Sequence, residues 1–537
     1  MKKKLHYETP YDYLKAIWNK VSATDKFAFF CGFAVCIAVN LFVYTNTCFV
    51  HDSIQMFNES TGLENGRLLV GPLMSLFNKM QLPWLIGLFS SLIMGIIIVY
   101  LAKIYHVTNK LYIVLLAGIV VTSDTIVVSH AYFGSLHIFF LSLLFAVMAV
   151  YYSDVKKYGY IISVLLLCIS IFMYQAYLAT AICLFIFKLI YNVLKKEDTV
   201  KANLLLIAKY ASISIISVGV YYLIWQLVLK LCKTDMSGYY AYSGLEKGFS
   251  ISDVIINFGY SCASTVQQIA GITLYGFYGF CTISIILSAL CAVLLIVAKK
   301  SLVNKLFIAV YIIAYLYSAN IMYLLSGSVV YALTVFATVL PLITLLFILD
   351  DKEIMDRIKG RAVISWTSSL LCAVLILGQA VYANSTYLKM KVNYDNAWSL
   401  ATRIVDRIEQ TEGFNENTNV VLLGPLGRMT KYDYNMDIYK RVSYPFKSNL
   451  KFSYPIYNNG VTYPLILEWF IEQEMDMDIS IEVCPERYKD FQIGVFPSSD
   501  SIKWNGNDLV VGVSIARNFE DEERLYEQPL KQTGIEQ

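Results

Sequence analysis

The stretch FAFFCGFAVCIAVNLFVYTNTCF, residues 27–49, contains no charged residue and is long enough for a helix to cross a membrane. Ten similar runs follow it, near residues 83–103, 111–129, 136–153, 159–174, 176–194, 206–229, 277–298, 306–325, 328–349 and 363–382. The runs are continuous rather than alternating, which indicates helices and not barrel strands, and a helix satisfies its own backbone hydrogen bonds in lipid. We therefore predict a mostly α, polytopic membrane protein with about eleven transmembrane helices between residues 27 and 382.

The overall composition agrees with this class of protein. Hydrophobic residues make up 57% of the 537 residues, charged residues only 15%, and the mean hydropathy is +0.55, which is more apolar than soluble proteins are. The net charge of +3 gives no reason to expect a nucleic-acid partner. Nearly all of the eleven cysteines lie in or beside the runs, and no Cys/His spacing typical of a metal site occurs.

The distribution of positive charge predicts the orientation of the chain. Lysine and arginine are frequent in the N-terminal segment, residues 1–26, and in every second connection, whereas the intervening connections hold few. Since positive charge resists translocation, we expect this segment in the cytoplasm and the C-terminal region outside the cytoplasmic (plasma) membrane. The first run is too long for a cleaved signal peptide, so we expect a retained span.

Residues 383–537 have the composition of a soluble domain. WSLATRIVDRIEQ, residues 398–410, has a helical pattern, NVVLLGP, residues 419–425, is strand-like, and the Asn505, Gly506 pair suits a turn between two β-type runs. We predict a small α/β domain outside the membrane. Two long exterior loops, residues 50–82 and 230–276, each contain a stretch that suits a helix lying along the membrane surface.

The first exterior loop opens with HDSIQMFNESTGLENGRLL, residues 51–69, which places three carboxylates and an arginine between two apolar runs. Asp52 follows the first run so closely that its partly desolvated carboxylate could act as a general base toward a hydroxyl. The alternative is a solvated loop acid. Glu64 is a candidate for substrate contact, but on a helix it could simply pair with Arg67, three residues later.

Asp124 lies inside the third run, in VVTSDTIVVSHAY, residues 120–132. A carboxylate about two turns inside a span is costly unless it faces protein or water, which makes Asp124 a candidate catalytic residue. An acid that snorkels or packs between helices is the alternative. His130, at the outer end of the same run, could donate a hydrogen bond to a phosphate, and a structural histidine at the interface fits the pattern equally well.

Further candidates lie on the same predicted side of the membrane. Tyr174 and Gln175 form a hinge that divides one long apolar run into two spans. Both are candidates for substrate contact, and a structural capping role is the alternative for Gln175. Tyr239 and Tyr242 are candidates for substrate contact, with anchoring at the membrane interface as the alternative. The exterior cations near the membrane could clamp a phosphate or contact phospholipid headgroups; they are Arg67, Lys230, Lys233 and Lys247.

These motifs together resemble a known family. Asp52 in an acidic first exterior loop, GRLL at residues 66–69, the hinge SIFMYQAYL at residues 170–178, and FPSSDSI with DLVVGVS near the end are similar to the Gtr type II glucosyltransferases, which are GT-C membrane glycosyltransferases. The chain departs from the pattern at two places. Leu68 stands where the family tends to have tryptophan, and His51 precedes Asp52 where GT-C first loops often carry a second acid.

The resemblance implies a GT-C-like fold and a hexosyltransferase acting at the outer face of the cytoplasmic membrane. Its donor would be a polyprenyl-phosphate-linked sugar and its acceptor a cell-surface polysaccharide or glycolipid. Asp52 would deprotonate the acceptor hydroxyl, with inversion at the anomeric carbon. No cofactor is expected, although Asp52 and Asp124 could share a divalent cation. The alternatives are a transporter or flippase of lipid-linked sugars and a non-catalytic glycan-binding partner; the chain lacks the repeated halves and the path of intramembrane charges that transporters commonly show.

Overall fold

The computed structural model describes residues 9–46, 62–77, 79–155, 157–195, 200–235, 251–270, 278–299, 301–321, 332–423, 471, 474–475, 480–483 and 485–513. This part of the chain is mostly helical, with a small sheet near its C-terminal end. The chain forms two compact units, one of Met1–Thr45 with Ser60–Asn384 and one of Asn46–Glu59 with Ser385–Gln537.

The first unit consists of helices, most of which coincide with the apolar runs. They are α1 (Pro10–Lys20), α2 (Ala23–Thr45), α3 (Val70–Ser75), α4 (Pro83–Ile104), α5 (Lys110–Val121), α6 (Asp124–Ser129), α7 (Phe133–Tyr152), α8 (Gly159–Met173), α9 (Tyr177–Lys195), α10 (Val200–Cys232), α11 (Ile251–Ala270), α12 (Tyr278–Val297), α13 (Leu302–Ser318), α14 (Leu340–Asp350) and α15 (Lys352–Met355). Two 3₁₀ helices, Ala332–Thr334 and Phe336–Val339, precede α14, and α16 (Arg361–Glu409) begins in this unit and ends in the second. The predicted hinge between residues 174 and 176 is confirmed, since α8 ends at Met173 and α9 begins at Tyr177.

Six helices of the described residues are long and apolar enough to cross a membrane. They are α2, α4, α7, α9, α10 and the part Arg361–Leu388 of α16. Five shorter apolar helices lie at the remaining predicted runs: Lys110–Val121, Gly159–Met173, Ile283–Val297, Leu302–Ser318 and Phe336–Asp350. A mostly α membrane protein is therefore confirmed, while the count of eleven spans stays a prediction.

The third apolar run is not one continuous helix. α5 ends at Val121 and α6 begins at Asp124, because Ser123 adopts an extended backbone and its hydroxyl donates a hydrogen bond to the carbonyl of Val120, 2.7 Å away. The prediction of a single span over residues 111–129 is wrong in this respect. Asp124 starts a six-residue helix, and its side chain is exposed.

The lysines inside the helices have a carboxylate partner. Lys188 of α9 and Lys209 of α10 both form ion pairs with Asp154, which follows α7, and the Lys209 Nζ to Asp154 Oδ1 distance is 2.9 Å. Lys188 also donates to the carbonyl of Val150 at 2.8 Å. Since a charge placed among apolar helices is costly without a partner, these pairs explain how the two lysines are accommodated.

The second unit contains a four-stranded sheet in the order β2-β1-β4-β3. Its strands are β1 (Asn419–Leu423), β2 (Ser480–Val483), β3 (Ile502–Asn505) and β4 (Asp508–Gly512). β1 is parallel to β2 and β4, and β3 and β4 form an antiparallel hairpin that turns at Gly506, whose φ is +63°. The strand-like stretch predicted at residues 419–425 contains β1, and the predicted hairpin at Asn505, Gly506 is confirmed. The sheet packs on the C-terminal part of α16 through residues such as Ile404.

One end of this sheet carries a polar network. Asp508 accepts hydrogen bonds from Asn419 Nδ2 at 2.8 Å, from the Tyr488 hydroxyl at 2.8 Å and from Arg487 Nη2 at 3.0 Å. These bonds hold the pKa of the Asp508 carboxyl below its usual value, with Asn419 contributing most. Arg487 also binds Glu482 through both terminal nitrogens, so the network joins β1, β2 and β4.

Candidate functional site

The loop between the first and second apolar runs, where the structure describes it, is a pair of tight turns that only glycine adopts without strain. Gly62 and Gly66 have φ values of +69° and +70°, and the Arg67 amide donates to the Gly62 carbonyl at 2.9 Å. A Cβ atom at Gly66 would lie 2.1 Å from the hydroxyl oxygen of Tyr221 on α10. Glycine is therefore required at residue 66 for its backbone conformation and for the close approach to α10.

This loop is fixed to two other elements of the first unit. The indole nitrogen of Trp225 on α10 donates to the carbonyl of Leu63 at 2.8 Å, and the Leu69 amide donates to the carbonyl of Phe172 near the end of α8 at 3.3 Å. The loop is thereby held at the end of α8 where the chain turns into α9. This contact brings together two segments that are about a hundred residues apart in the sequence.

Gln175 is at the centre of this arrangement. Its Oε1 accepts a hydrogen bond from Arg67 Nε at 3.4 Å, and its Nε2 donates to the carbonyl of Asn65 at 2.7 Å and to the Tyr221 hydroxyl at 3.2 Å. The Arg67 guanidinium carbon lies 5.2 Å from the centroid of the Tyr174 ring. We call Arg67, Tyr174 and Gln175, with their supports Asn65 and Tyr221, the arginine cluster.

Three residues that the sequence marked as separate candidates thus meet in one place. Tyr221 and Trp225, which hold them there, were missed, because within a long apolar helix two aromatics four residues apart are typical of ordinary packing. Both Glu64 and Arg67 are described, and no ion pair joins them; Glu64 is exposed. The pairing that their spacing would allow on a helix does not form, because the two residues lie in turns.

Arg67 itself is partly exposed, and much of its guanidinium is not engaged by the protein. Its Nε is directed to Gln175, while among the described residues no acceptor lies within hydrogen-bond distance of either Nη nitrogen. A planar guanidinium bound along one edge and stacked on an aromatic ring keeps its other edge oriented for a bidentate anion. The arginine cluster can therefore hold a phosphate or carboxylate group.

His130 is buried and bonded to the protein through both ring nitrogens. Nδ1 lies 2.7 Å from the carbonyl of Ile126, and Nε2 lies 3.0 Å from the Tyr44 hydroxyl. Because a carbonyl can only accept, Nδ1 carries the proton and the Tyr44 hydroxyl donates to Nε2. This geometry fits the structural alternative that the sequence left open for His130.

The remaining candidates are either exposed or outside the described residues. Asp124 has no hydrogen-bond or ion-pair partner in the described part of the chain, and Lys233, just after α10, is exposed with a φ of +53°. In the described residues no group of three or more His, Cys, Asp or Glu side chains could hold a metal ion. Four candidates lie outside the described residues: Asp52, Tyr239, Tyr242 and Lys247.

Residues 41–342, more than half of the chain, match the family described as Glucosyl transferase GtrII. The chain belongs to this family. The resemblance to the Gtr type II glucosyltransferases is thereby confirmed, and the GtrII match identifies the chain as a membrane glycosyltransferase. The matched range includes both halves of the arginine cluster and excludes the sheet of the second unit. Comparisons with curated proteins and with solved structures find no match.

Proposed function

We propose that this chain transfers a hexose from a polyprenyl-phosphate-linked donor to a cell-surface polysaccharide or glycolipid on the outer face of the cytoplasmic membrane. The observation that carries the proposal is the oriented guanidinium of Arg67 inside the range that matches the glucosyltransferase family. A donor with a lipid tail also agrees with the apolar helices that surround this range. Neither the described residues nor the sequence offers a glycine-rich nucleotide-binding loop as an alternative donor site.

Arg67 binds the donor phosphate in this proposal. In the reaction the bond between the anomeric carbon and the phosphate oxygen breaks, and the polyprenyl phosphate leaves with an additional negative charge. The free edge of the guanidinium stabilises that charge as it develops, in a site already organised by Gln175 and Tyr174. Gln175 therefore acts through Arg67 as a positioning residue.

Asp52 is the general base of the proposed reaction. Its carboxylate takes the proton of the acceptor hydroxyl, whose oxygen forms the new bond to the anomeric carbon from the face opposite the phosphate, so the configuration is inverted. Asp124, exposed at the start of α6, is the second proposed catalytic carboxylate. Glu64, Tyr239 and Tyr242 contact the sugar substrates in this proposal.

Lys233, Lys247 and His130 are the further candidates for contact with the donor phosphate. Lys233 and Lys247 follow α10 in the second long exterior loop and would add positive charge near the headgroup. The bonds of His130 to Ile126 and Tyr44 support a structural role for this residue within the first unit. A single divalent cation is not required, because Arg67 can supply the positive charge at the leaving group.

The intramembrane lysines weaken the transporter alternative. Lys188 and Lys209 lie inside two of the apolar runs, and both pair with Asp154. They therefore do not form part of an open path of charged groups, which transporters of polar substrates commonly contain.

Substitution of Arg67 tests the proposed function. In membranes supplied with a polyprenyl-phosphate hexose, we expect Arg67→Ala to lower kcat/KM for the donor about 10²- to 10³-fold, as loss of one preorganised charge-stabilising donor does. Arg67→Lys retains the charge but not the bidentate edge, and we expect an intermediate loss. Arg357→Lys, which alters an exposed arginine paired with Glu353, is the matched control and should leave transfer unchanged.

Two outcomes decide against the proposal. If Arg67→Ala, Asp52→Asn and Asp124→Asn all transfer sugar at the normal rate, the chemistry lies elsewhere in the chain. If the wild type transfers no sugar but moves a labelled lipid-linked sugar across the bilayer, the transporter alternative is correct.

A further inference from the structure

α1 is an amphipathic helix whose residues all stay at least partly exposed within the part of the chain that the structure describes. Its start is defined by a capping box, in which the Thr9 hydroxyl accepts from the Asp12 amide at 3.2 Å and the Asp12 carboxylate accepts from the Thr9 amide at 3.1 Å. None of its residues is buried, and Leu14 is 62% and Trp18 44% exposed. Only two residues separate it from α2, so it lies at the boundary of the first membrane span.

A cavity of about 420 Å³ lies between α1, α2 and α4. Its lining combines apolar and aromatic side chains with three lysines and one carboxylate: Ile17, Trp18, Lys20, Val21, Asp25, Lys26, Phe29, Ile96, Val99, Tyr100 and Lys103. Such a mixture suits a molecule that has an anionic group next to a hydrocarbon portion.

The charges of this cavity are not balanced. Lys103 at the end of α4 pairs with Asp25 near the start of α2 at 3.1 Å, which neutralises one of the three lysines. Lys26 lies 4.7 Å from the ring centroid of Trp18, and Lys20 forms no ion pair with the described residues. Among the described residues, two positive charges therefore face the cavity without a carboxylate partner, beside exposed apolar side chains.

The cavity is at the opposite end of the helices from the arginine cluster. The hydroxyls of Tyr100 on α4 and Tyr152 on α7 lie 3.0 Å apart, so the end of α4 and the end of α7 are adjacent. α8 then runs from that end to the hinge that holds the arginine cluster. In the orientation proposed above, the cavity opens at the cytoplasmic leaflet, whose surface is negatively charged in most cells.

We propose that this cavity binds an anionic phospholipid of that leaflet, with α1 lying on the membrane surface. The phosphate and the anionic headgroup contact Lys20 and Lys26, while the acyl chains run along Ile17, Trp18 and the exposed side of α4. The apolar side chains of α1 are then covered by lipid, which explains why the protein leaves them exposed. The site is separate from sugar transfer and would anchor the N-terminal end of the membrane unit.

The test measures bound lipid on the full-length protein. The protein is purified in detergent micelles containing equal amounts of phosphatidylglycerol and phosphatidylcholine, and native mass spectrometry counts each lipid that stays bound. We expect the wild type to retain phosphatidylglycerol preferentially, and Lys20→Gln with Lys26→Gln to reduce that preference about 25-fold, because each lysine near an anionic surface contributes roughly five-fold. Lys20→Arg with Lys26→Arg should retain the preference and shows that the fold is intact.

The matched control removes two lysines at the same end of the helices that do not line the cavity. Lys15→Gln with Lys110→Gln should leave the preference unchanged. An equal loss in this control would overturn the proposal, since general surface charge would then explain binding. Equal retention of the two lipids by the wild type also overturns it, and displacement of phosphatidylglycerol by excess inorganic phosphate would mean that the site takes a soluble anion instead.

Discussion

Replacing Gly66 by alanine separates the two reasons for which the arginine cluster needs a glycine. The first is the backbone conformation, since a left-handed φ of +70° costs an alanine about 1–2 kcal/mol. The second is the approach to Tyr221, whose hydroxyl oxygen would lie 2.1 Å from the new Cβ, where contacts below 3.0 Å essentially never occur. Loop and helix must therefore separate by roughly 1 Å, and a displacement of this size at a catalytic group can cost about 10²-fold in rate.

Gly360 provides the matched control for this substitution. It lies in the same unit with a φ of +74°, but no atom lies within 4 Å of the position that its Cβ would take. We expect Gly360→Ala to pay only for the strain of the left-handed backbone. Its melting temperature should decrease slightly, and its sugar transfer should stay normal. Gly66→Ala should lose more stability than this, because the overlap with Tyr221 adds to the backbone strain, and in addition about 10²-fold in kcat/KM for the lipid-linked donor.

A second substitution tests the contact directly. Tyr221→Phe in the Gly66→Ala background removes the overlapping oxygen and leaves a ring carbon at 3.1 Å as the next nearest atom, so part of the transfer activity should return. Melting temperature in detergent and steady-state transfer with varied donor are the two measurements. If Gly66→Ala and Gly360→Ala gave the same values in both, the proposed link between this close approach and the orientation of Arg67 would be refuted.

Three further predictions concern other parts of the chain. The pKa of the Asp508 carboxyl is lower in the folded than in the unfolded state. The stabilisation that this carboxylate gives is therefore present above the unfolded pKa of about 4 and is lost as the pH falls through the folded pKa. Asp508→Asn should weaken this dependence of stability on acid, measured as hydrogen exchange of the β1 and β4 amides in the full chain. Tyr44→Phe removes the donor to buried His130 Nε2 and should cost about 1–3 kcal/mol of stability while KM for the donor stays constant, whereas a raised KM with unchanged melting would indicate a phosphate-binding role for His130. Dialysis against EDTA should leave the rate of sugar transfer unchanged, and a loss restored by a divalent cation would assign a metal to the candidate carboxylates.

The fold was predictable from the sequence where length and hydropathy decide it. Every predicted apolar run contains a helix, because an uncharged segment in lipid has no other way to satisfy its backbone. The Asn505, Gly506 turn was equally accessible, since few residue pairs suit a tight hairpin. The break before Asp124 was not predictable, because one serine hydroxyl that bonds to its own helix ended α5, and hydropathy does not detect such a bond.

The residue types of the candidate site were predictable from the sequence, but their arrangement in space was not. The sequence indicated Arg67 as a phosphate ligand and Gln175 as part of a hinge, each for a local reason. Their contact depends on the packing of the loop that contains Arg67 against α10, through Trp225 and Tyr221, and no local pattern encodes that packing. Conversely, His130, a residue type suited to phosphate, lies buried with both ring nitrogens bonded to Ile126 and Tyr44, a geometry that its sequence context does not indicate.

The position of Gln175 between an arginine and a loop carbonyl has a consequence for related chains. Only a primary amide can accept from Arg67 and donate to Asn65 and Tyr221 with one side chain, so neither glutamate nor leucine would serve. The Gly66, Arg67 pair and the Tyr174, Gln175 pair should therefore be inherited as one set: a homologue that has lost the arginine has no reason to keep the amide, and substitutions at the two places should occur in the same branches of the family.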